Sequence, residues 1–297
     1  MASKTYKLTK TEIDNLYQRV LPISTRETKP QYTYWQLKTE AGTVTAYTSG
    51  KVLVQGKDIT PIERMFNLKS SSIVANTEAV KYPQAGSDEV GCGDYFGPVV
   101  VGACVIPSKE VADLLIQEGI KDSKALSERS IYHLDQLIRR HCVYTIICLK
   151  PEQFNEWNRE GKNMVEIKCI LHKLAWDNLA KKTPLPGVRM IDGFCTEEVF
   201  NKYTKGQAVK GITFQPKADS EYISCMAGAI IARAKFLREI DKMENAWDTT
   251  FPRGASEQVD QAGWVFTTEN TFVDLNKVAK TSFANTRKIE ILRNIHN

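Results

Sequence analysis

Four acids stand where carboxylate chemistry could be built. Asp88 and Glu89 are adjacent, inside Gly86-Ser87-Asp88-Glu89-Val90-Gly91-Cys92-Gly93, just ahead of the apolar run Val99 to Ile106. That run reads as a strand buried on both faces. Carboxylates at the edge of a buried sheet are costly to desolvate unless something positive neutralises them. Oxygen-only ligands of this kind suit Mg2+ or Mn2+. Asp192 closes a second apolar run, Val188-Arg189-Met190-Ile191, and is followed by Gly193. Asp219 stands before a long helical pattern, where it can be a ligand or a helix N-cap. Hydrolysis of a phosphodiester at neutral pH needs an activated water and a stabilised leaving oxygen. Two divalent ions held by a ring of carboxylates supply both. One geometric conflict is visible. Adjacent side chains of a regular strand face opposite ways, so Asp88 and Glu89 reach a single ion only across a bend or bulge.

Gly91-Cys92-Gly93 can let a nucleic-acid backbone come close. Its amides could read a ribose 2′-hydroxyl, and the competing reading is a plain turn with Cys92 as a small filler. Lys121-Asp122-Ser123-Lys124 follows the Gly119 turn and suits phosphate contacts, although such a cluster is more often solvated surface. His133, His141, His172 and His296 show no ligand spacing, and His172 reads as a packing residue in an apolar helix. Glu221 points away from Asp219 along the same helical pattern.

Elements that would position these residues fall into two blocks. Thr9-x-x-Glu12 fits a capping box ahead of Ile13, Leu16, Tyr17 and Val20. Three strand-like runs follow, Tyr32–Lys38, Thr43–Tyr47 and Lys51–Gln55, and Thr60-Pro61-Ile62-Glu63 opens a second helix. This small α+β unit spans residues 1–68, and its strands make Tyr32, Tyr34, Trp35, Lys38 and Lys51 candidates for exposure. Residues 69–85 are polar and weakly patterned and read as a linker. Residues 86–297 alternate strands and helices. Helices are predicted from Ser127 to Arg140, from Asn163 to Lys182, from Thr196 to Tyr203 and from Asp219 to Asn245. Strands are predicted over 142–149, 187–192 and 212–215. The pattern is α/β. Ala227-Gly228-Ala229 would let the last helix lie close to the sheet.

Composition sets bounds. The 297 residues are 42% apolar and 25% charged, ordinary for a packed globular chain. No apolar run approaches the ~20 residues of a membrane span, and the N-terminus has no signal-peptide core. Seven cysteines, an odd count with no C-x-x-C pair, read as reduced core residues and not as a disulfide or zinc framework. The expectation is a cytoplasmic protein. Of the net charge of +5, residues 1–80 carry +4, with 11 Lys+Arg against 7 Asp+Glu, and the remainder carries 29 against 28. That mild basic bias is compatible with a phosphate partner.

The blocks also carry a family resemblance. Gly86-Ser87-Asp88-Glu89-Val90-Gly91-x-Gly93-Asp94-Tyr95-Phe96-Gly97-Pro98 resembles the signature of bacterial ribonuclease HIII, a type 2 ribonuclease H. The resemblance continues at Lys121-Asp122-Ser123-Lys124, Ile191-Asp192-Gly193-Phe194, Lys217-Ala218-Asp219-Ser220, Ala229-Ile230-Ile231-Ala232-Arg233 and Pro252-x-Gly254-Ala255-Ser256-x-x-Val259-Asp260. It implies a ribonuclease H-like mixed sheet flanked by helices, preceded by a TATA-binding-protein-like domain that binds substrate. It implies a two-metal-ion endonuclease that cuts the RNA strand of RNA–DNA hybrids, leaving 5′-phosphate and 3′-hydroxyl ends. The implied metal-binding and catalytic quartet is Asp88, Glu89, Asp192 and Asp219. The implied substrate contacts are Gly91, Cys92, Gly93, Ser123 and Lys124, and the cofactor is Mg2+ or Mn2+. No membrane and no obligate protein partner is implied. Two departures stand out. Position 219 is Asp where ribonuclease HIII typically has Glu and ribonuclease HII has Asp. Position 92 is Cys where Thr is usual. A ribonuclease HII-like enzyme that also cuts at single embedded ribonucleotides is the nearest rival, and a non-catalytic hybrid-binding protein is a remoter one.

Overall fold

The computed structural model of the chain describes residues 2–56, 59, 62, 81–120 and 123–296. Two compact units divide between Val74 and Ala75.

In the first unit, β1 (Ala2–Lys7) precedes helix α1 (Lys10–Val20), and β2 (Ser24–Thr28), β3 (Thr33–Thr39), β4 (Thr43–Tyr47) and β5 (Lys51–Gly56) complete an antiparallel sheet in the order β1-β5-β4-β3-β2. The capping box forms: Thr9 N donates to Glu12 Oε2 at 2.7 Å, and Glu12 N donates to Thr9 Oγ1 at 3.3 Å. Ile13, Leu16 and Val20 of α1 bury against Leu37, Val44, Val52 and Val54. Two strands exceed the sequence expectation. β1 and β2 are the sheet's two edges, and edge strands carry polar residues that mute the hydrophobic signal. Trp35, expected at the surface, is buried at 5% exposure. Strand alternation puts it on the face of Leu37, under α1, with its ring 5.5 Å from Tyr17. Tyr32, Lys38 and Lys51 are exposed, and Tyr34 is half-buried. Most of the helix expected from Thr60 and most of the segment read as a linker lie outside the described residues.

The second unit is built on a mixed sheet. Its strands are β6 (Gln84–Val90), β7 (Val99–Ile106), β8 (Val143–Leu149), β9 (Val188–Asp192) and β10 (Thr213–Gln215), in the order β10-β9-β6-β7-β8. β9 runs parallel to β6 and β10, whereas β6, β7 and β8 are antiparallel. Gln84 and Ala85, placed in the linker by sequence, already belong to β6. Helices α2 (Lys109–Gln117), α3 (Glu128–His141), α4 (Pro151–Arg159), α5 (Met164–Lys182), α6 (Glu197–Tyr203), α7 (Ile223–Trp247), α8 (Glu257–Glu269), α9 (Phe272–Val278) and α10 (Ala284–His296) surround it.

Two helices sandwich β6. On one face α7 comes so close that a Cβ on Gly102 would lie 2.2 Å from the Gly228 carbonyl oxygen, and one on Gly86 would lie 2.5 Å from Cys225 N. On the other face α5 packs through Trp176 and His172, both fully buried. The long helix begins at Ile223 and not at Asp219. Its N-cap is Tyr222, and Asp219 lies in a separate 3-10 turn, Ala218–Ser220. Asp219 is therefore not the helix cap. Tyr95 and Phe96 wedge into a further apolar cluster with Phe251, Val259, Phe266, Leu275 and Ile289 of the C-terminal helices.

Candidate active site

Alternation along β6 decides which side each acid serves. Gly86 and Asp88 face α7, and Ser87 and Glu89 face α5. The β6–β7 register runs without interruption from Gln84 to Val90, so no bulge brings the two acids to one face. Asp88 pairs in register with Gly102, whose missing side chain lets α7 cover it.

Three carboxylates converge on the α7 side. One oxygen each from Asp88, Asp192 and Asp219 lies within 4.8 Å of the others. Asp88 sits on the central strand and Asp192 at the C-terminal end of β9. Asp219 reaches the group because Asp192 Oδ1 accepts from Ala218 N at 2.8 Å, which ties the 3-10 turn to the strand end. Gly193 permits this approach: a Cβ there would lie 2.8 Å from Pro216 N. Asp88 is 8% exposed. Its carboxyl is pushed well above the usual carboxylate range, first by burial and then by the charges of Glu89, Asp192 and Asp219. A cluster of that kind repels itself without a cation. All-oxygen donors at this spacing fit a hard divalent ion such as Mg2+ or Mn2+.

Glu89 does not join this cluster. Its Oε1 pairs with Lys168 Nζ, and its Oε2 is 2.9 Å from His172 Nε2. Burial alone would raise its carboxyl, yet the hydrogen bond and charge of His172, followed by Lys168, hold it below the usual range. His172 is thus more than the packing residue read from sequence. Its Nδ1 lies 2.8 Å from Ser87 Oγ, and its ring stacks on Phe194 at 5.1 Å between centroids. The readable signal was the spacing Lys168–His172–Trp176, four residues apart on one stripe of α5. Glu221, weighed against Asp219 as a ligand, accepts instead from Gln215 Nε2 at 2.6 Å.

The expected substrate loop is present beyond β6. Gly91 has φ +94 and meets the Pro98 carbonyl oxygen, so it needs glycine, whereas Gly93 has nothing within 4 Å of its Cβ position. Cys92 is half-buried, and burial, then Glu89, raises its thiol. A thiol so raised is no nucleophile. The loop is clamped from behind: Gly254 N donates to Asp94 Oδ1 at 2.7 Å, Tyr95 N donates to Gly254 O at 2.8 Å, and Lys280 Nζ donates to Gly97 O. Ser123 is 4% exposed and Lys124 is exposed on one 3-10 turn. Lys121 and Asp122 lie outside the described residues.

Comparison with known proteins agrees with this geometry. A family model described as ribonuclease HII matches residues 85–286. A second, described as a domain of unknown function (DUF3378), matches residues 4–78. Ribonuclease HIII of Bacillus licheniformis is 37% identical over 275 residues, covering 86% of this chain and 87% of that protein. Ribonuclease HIII of Oceanobacillus iheyensis is 32% identical over 310 residues, covering 98% and 100%. The crystal structure of Bst-RNase HIII in complex with Mn2+ matches with a TM-score of 0.72 at 28% identity, over 98% of this chain and 99% of that one. A mixed sheet whose strand ends carry a carboxylate cluster, in a chain with these relatives, defines a metal-dependent endoribonuclease of the type 2 ribonuclease H class. The chain belongs to the ribonuclease HIII family.

Proposed function

We propose that this chain hydrolyses the RNA strand of RNA–DNA hybrids with Mg2+ or Mn2+, leaving 5′-phosphate and 3′-hydroxyl ends. The observation that carries the reading is the convergence of Asp88, Asp192 and Asp219 at the edge of a sheet where nothing but a cation would make three carboxylates tolerable. Divalent ions, when bound, supply activation of water and neutralisation of the leaving oxygen. The chain's own part is to aim the three aspartates from one side of β6 and Glu89 from the other. Gly91-Cys92-Gly93 offers its backbone to the ribose, with open space in front of Gly93. Ser123 and Lys124 are assigned to the phosphates beside it, and residues 1–68 to substrate affinity. Seven free thiols suit a reducing compartment and support action in the cytoplasm. No described helix is long and apolar enough to cross a membrane.

The test is hydrolysis of a uniform RNA–DNA hybrid. Asp192→Asn should lose at least ~100-fold in rate with either ion while keeping the wild-type Tm, because it removes one charged ligand oxygen. Chelation should stop the wild-type reaction and added Mg2+ or Mn2+ should restore it. Full cleavage by Asp192→Asn would overturn the assignment. Asp219→Glu should stay active. The aspartate at 219 favours a second reading, in which the enzyme also cuts a DNA duplex at one embedded ribonucleotide, and that substrate run beside the hybrid separates the two.

A further inference from the structure

Glu89 is flanked by more apparatus than a lone ligand requires. Lys168, His172 and Trp176 form a single stripe of α5, and each meets the α5-facing side of β6. Trp176 Nε1 lies 2.9 Å from Ser87 Oγ, Ser87 Oγ lies 2.8 Å from His172 Nδ1, and His172 Nε2 lies 2.9 Å from Glu89 Oε2. Ser87, His172 and Trp176 are all fully buried. An indole N–H can only donate, so Ser87 Oγ accepts from Trp176. Among the described residues Ser87 Oγ has no other partner than these two, so its own proton goes to Nδ1. That leaves Nδ1 unprotonated and makes Nε2–H the donor to Glu89. The chain of donors runs in one direction, from Trp176 to the carboxylate.

We propose that His172, locked as the Nε2–H tautomer by Ser87 and Trp176, is a positioning residue that fixes Glu89 as the anchor of a second divalent ion, apart from the three-aspartate cluster. Lys168 holds the other carboxylate oxygen and supplies the counter-charge until an ion arrives. This rests on the reading of Glu89 as a metal ligand. The physical reason is the same as for histidines behind metal-binding carboxylates elsewhere: a buried partner fixes the direction of the ligand, and its loss typically costs 10–100-fold in metal affinity. Asp88, one residue away, lacks this support because the strand turns it to the other face.

The experiment uses the full chain. Mn2+ binding is counted by electron paramagnetic resonance and isothermal titration without substrate, and hybrid cleavage is measured against Mn2+ concentration. His172→Leu should raise the half-saturating Mn2+ at least ~10-fold and lower the number of tightly bound ions, with the KM for hybrid unchanged. His172→Gln retains an N–H at the Nε2 position and should recover most of the loss. Ser87→Ala should fall between the two. Wild-type Mn2+ affinity and count in folded His172→Leu would overturn the proposal. If that variant does not fold, nitrogen-15 NMR of the wild-type ring decides: protonated Nε2 is expected, and protonated Nδ1 overturns it. Glu89→Gln separates the two levels. Full activity and ion count there would sink the ligand reading itself. An inactive Glu89→Gln beside an unaffected His172→Leu would sink only the positioning role.

Discussion

Lys280 shows what one residue can cost a fold. It is fully buried, its ammonium donates to Gly97 O, and Asp94, Cys92 and the Phe283 ring (5.9 Å away) face it. Burial lowers its pKa to about 8 against an ordinary 10.5, although Asp94 and Cys92 pull the other way. A lysine lowered in the fold binds more protons when unfolded across that interval. Its burial penalty is therefore complete below pH 8, fades as pH rises, and is gone above 10.5. Lys280→Met should remove this dependence. Between pH 7 and 10, wild type should gain roughly 2–3 kcal/mol of unfolding free energy relative to the variant. Denaturant unfolding at both pH values measures it, and parallel behaviour of the two proteins would contradict the shift. The lysine's return is local: it fixes the carbonyl that ends the loop beginning at Gly91.

Elements add their own constraint. β7 and α7 touch backbone to backbone at Gly102 and Gly228, and the same contact sets how near α7 lies to Asp88. Gly102→Ala would press a methyl into the Gly228 carbonyl, which a rigid sheet cannot relieve. It should destabilise by about 2 kcal/mol or more and lower metal affinity with it. Gly93 behaves oppositely, since its Cβ position is open. Gly93→Val should leave Tm within a degree or two yet reduce hybrid cleavage, because the obstruction falls on substrate and not on the fold. Thermal melts of both variants beside cleavage assays check the pair. Unchanged cleavage by Gly93→Val would mean that the loop does not touch the hybrid.

At the scale of the whole molecule, two units have separate cores. The first carries most of the net positive charge, and the three-aspartate cluster lies in the second. Removing residues 1–80 should raise the KM for hybrid several-fold and leave kcat much less changed, since no ligand of the metal site is lost. The dependence of binding on salt should flatten by roughly one counterion per phosphate contact removed. Steady-state cleavage at two salt concentrations measures both, with circular dichroism to show that the shortened chain folds. An unchanged KM and salt slope would deny the unit a role in substrate binding.

Sequence alone determined the parts whose signal is local. Asp88 and Asp192 were legible because a charge beside a buried apolar run demands an explanation. The α1 capping box, the α/β alternation and the small residues of α7 were legible because caps and periodicities act over a few positions. Tertiary structure decided what depends on facing. Strand alternation sent Glu89 away from Asp88 and Trp35 into the core, and the polar edges β1 and β2 became strands only by pairing with β5 and β3. Asp219 was ambiguous between cap and ligand until Ala218 hydrogen-bonded to Asp192. His172 looked like packing because nothing in its neighbourhood along the chain names Ser87 or Glu89, more than eighty residues away. Such partners are set by which faces of sheet and helix meet, and that information exists only once the chain has folded.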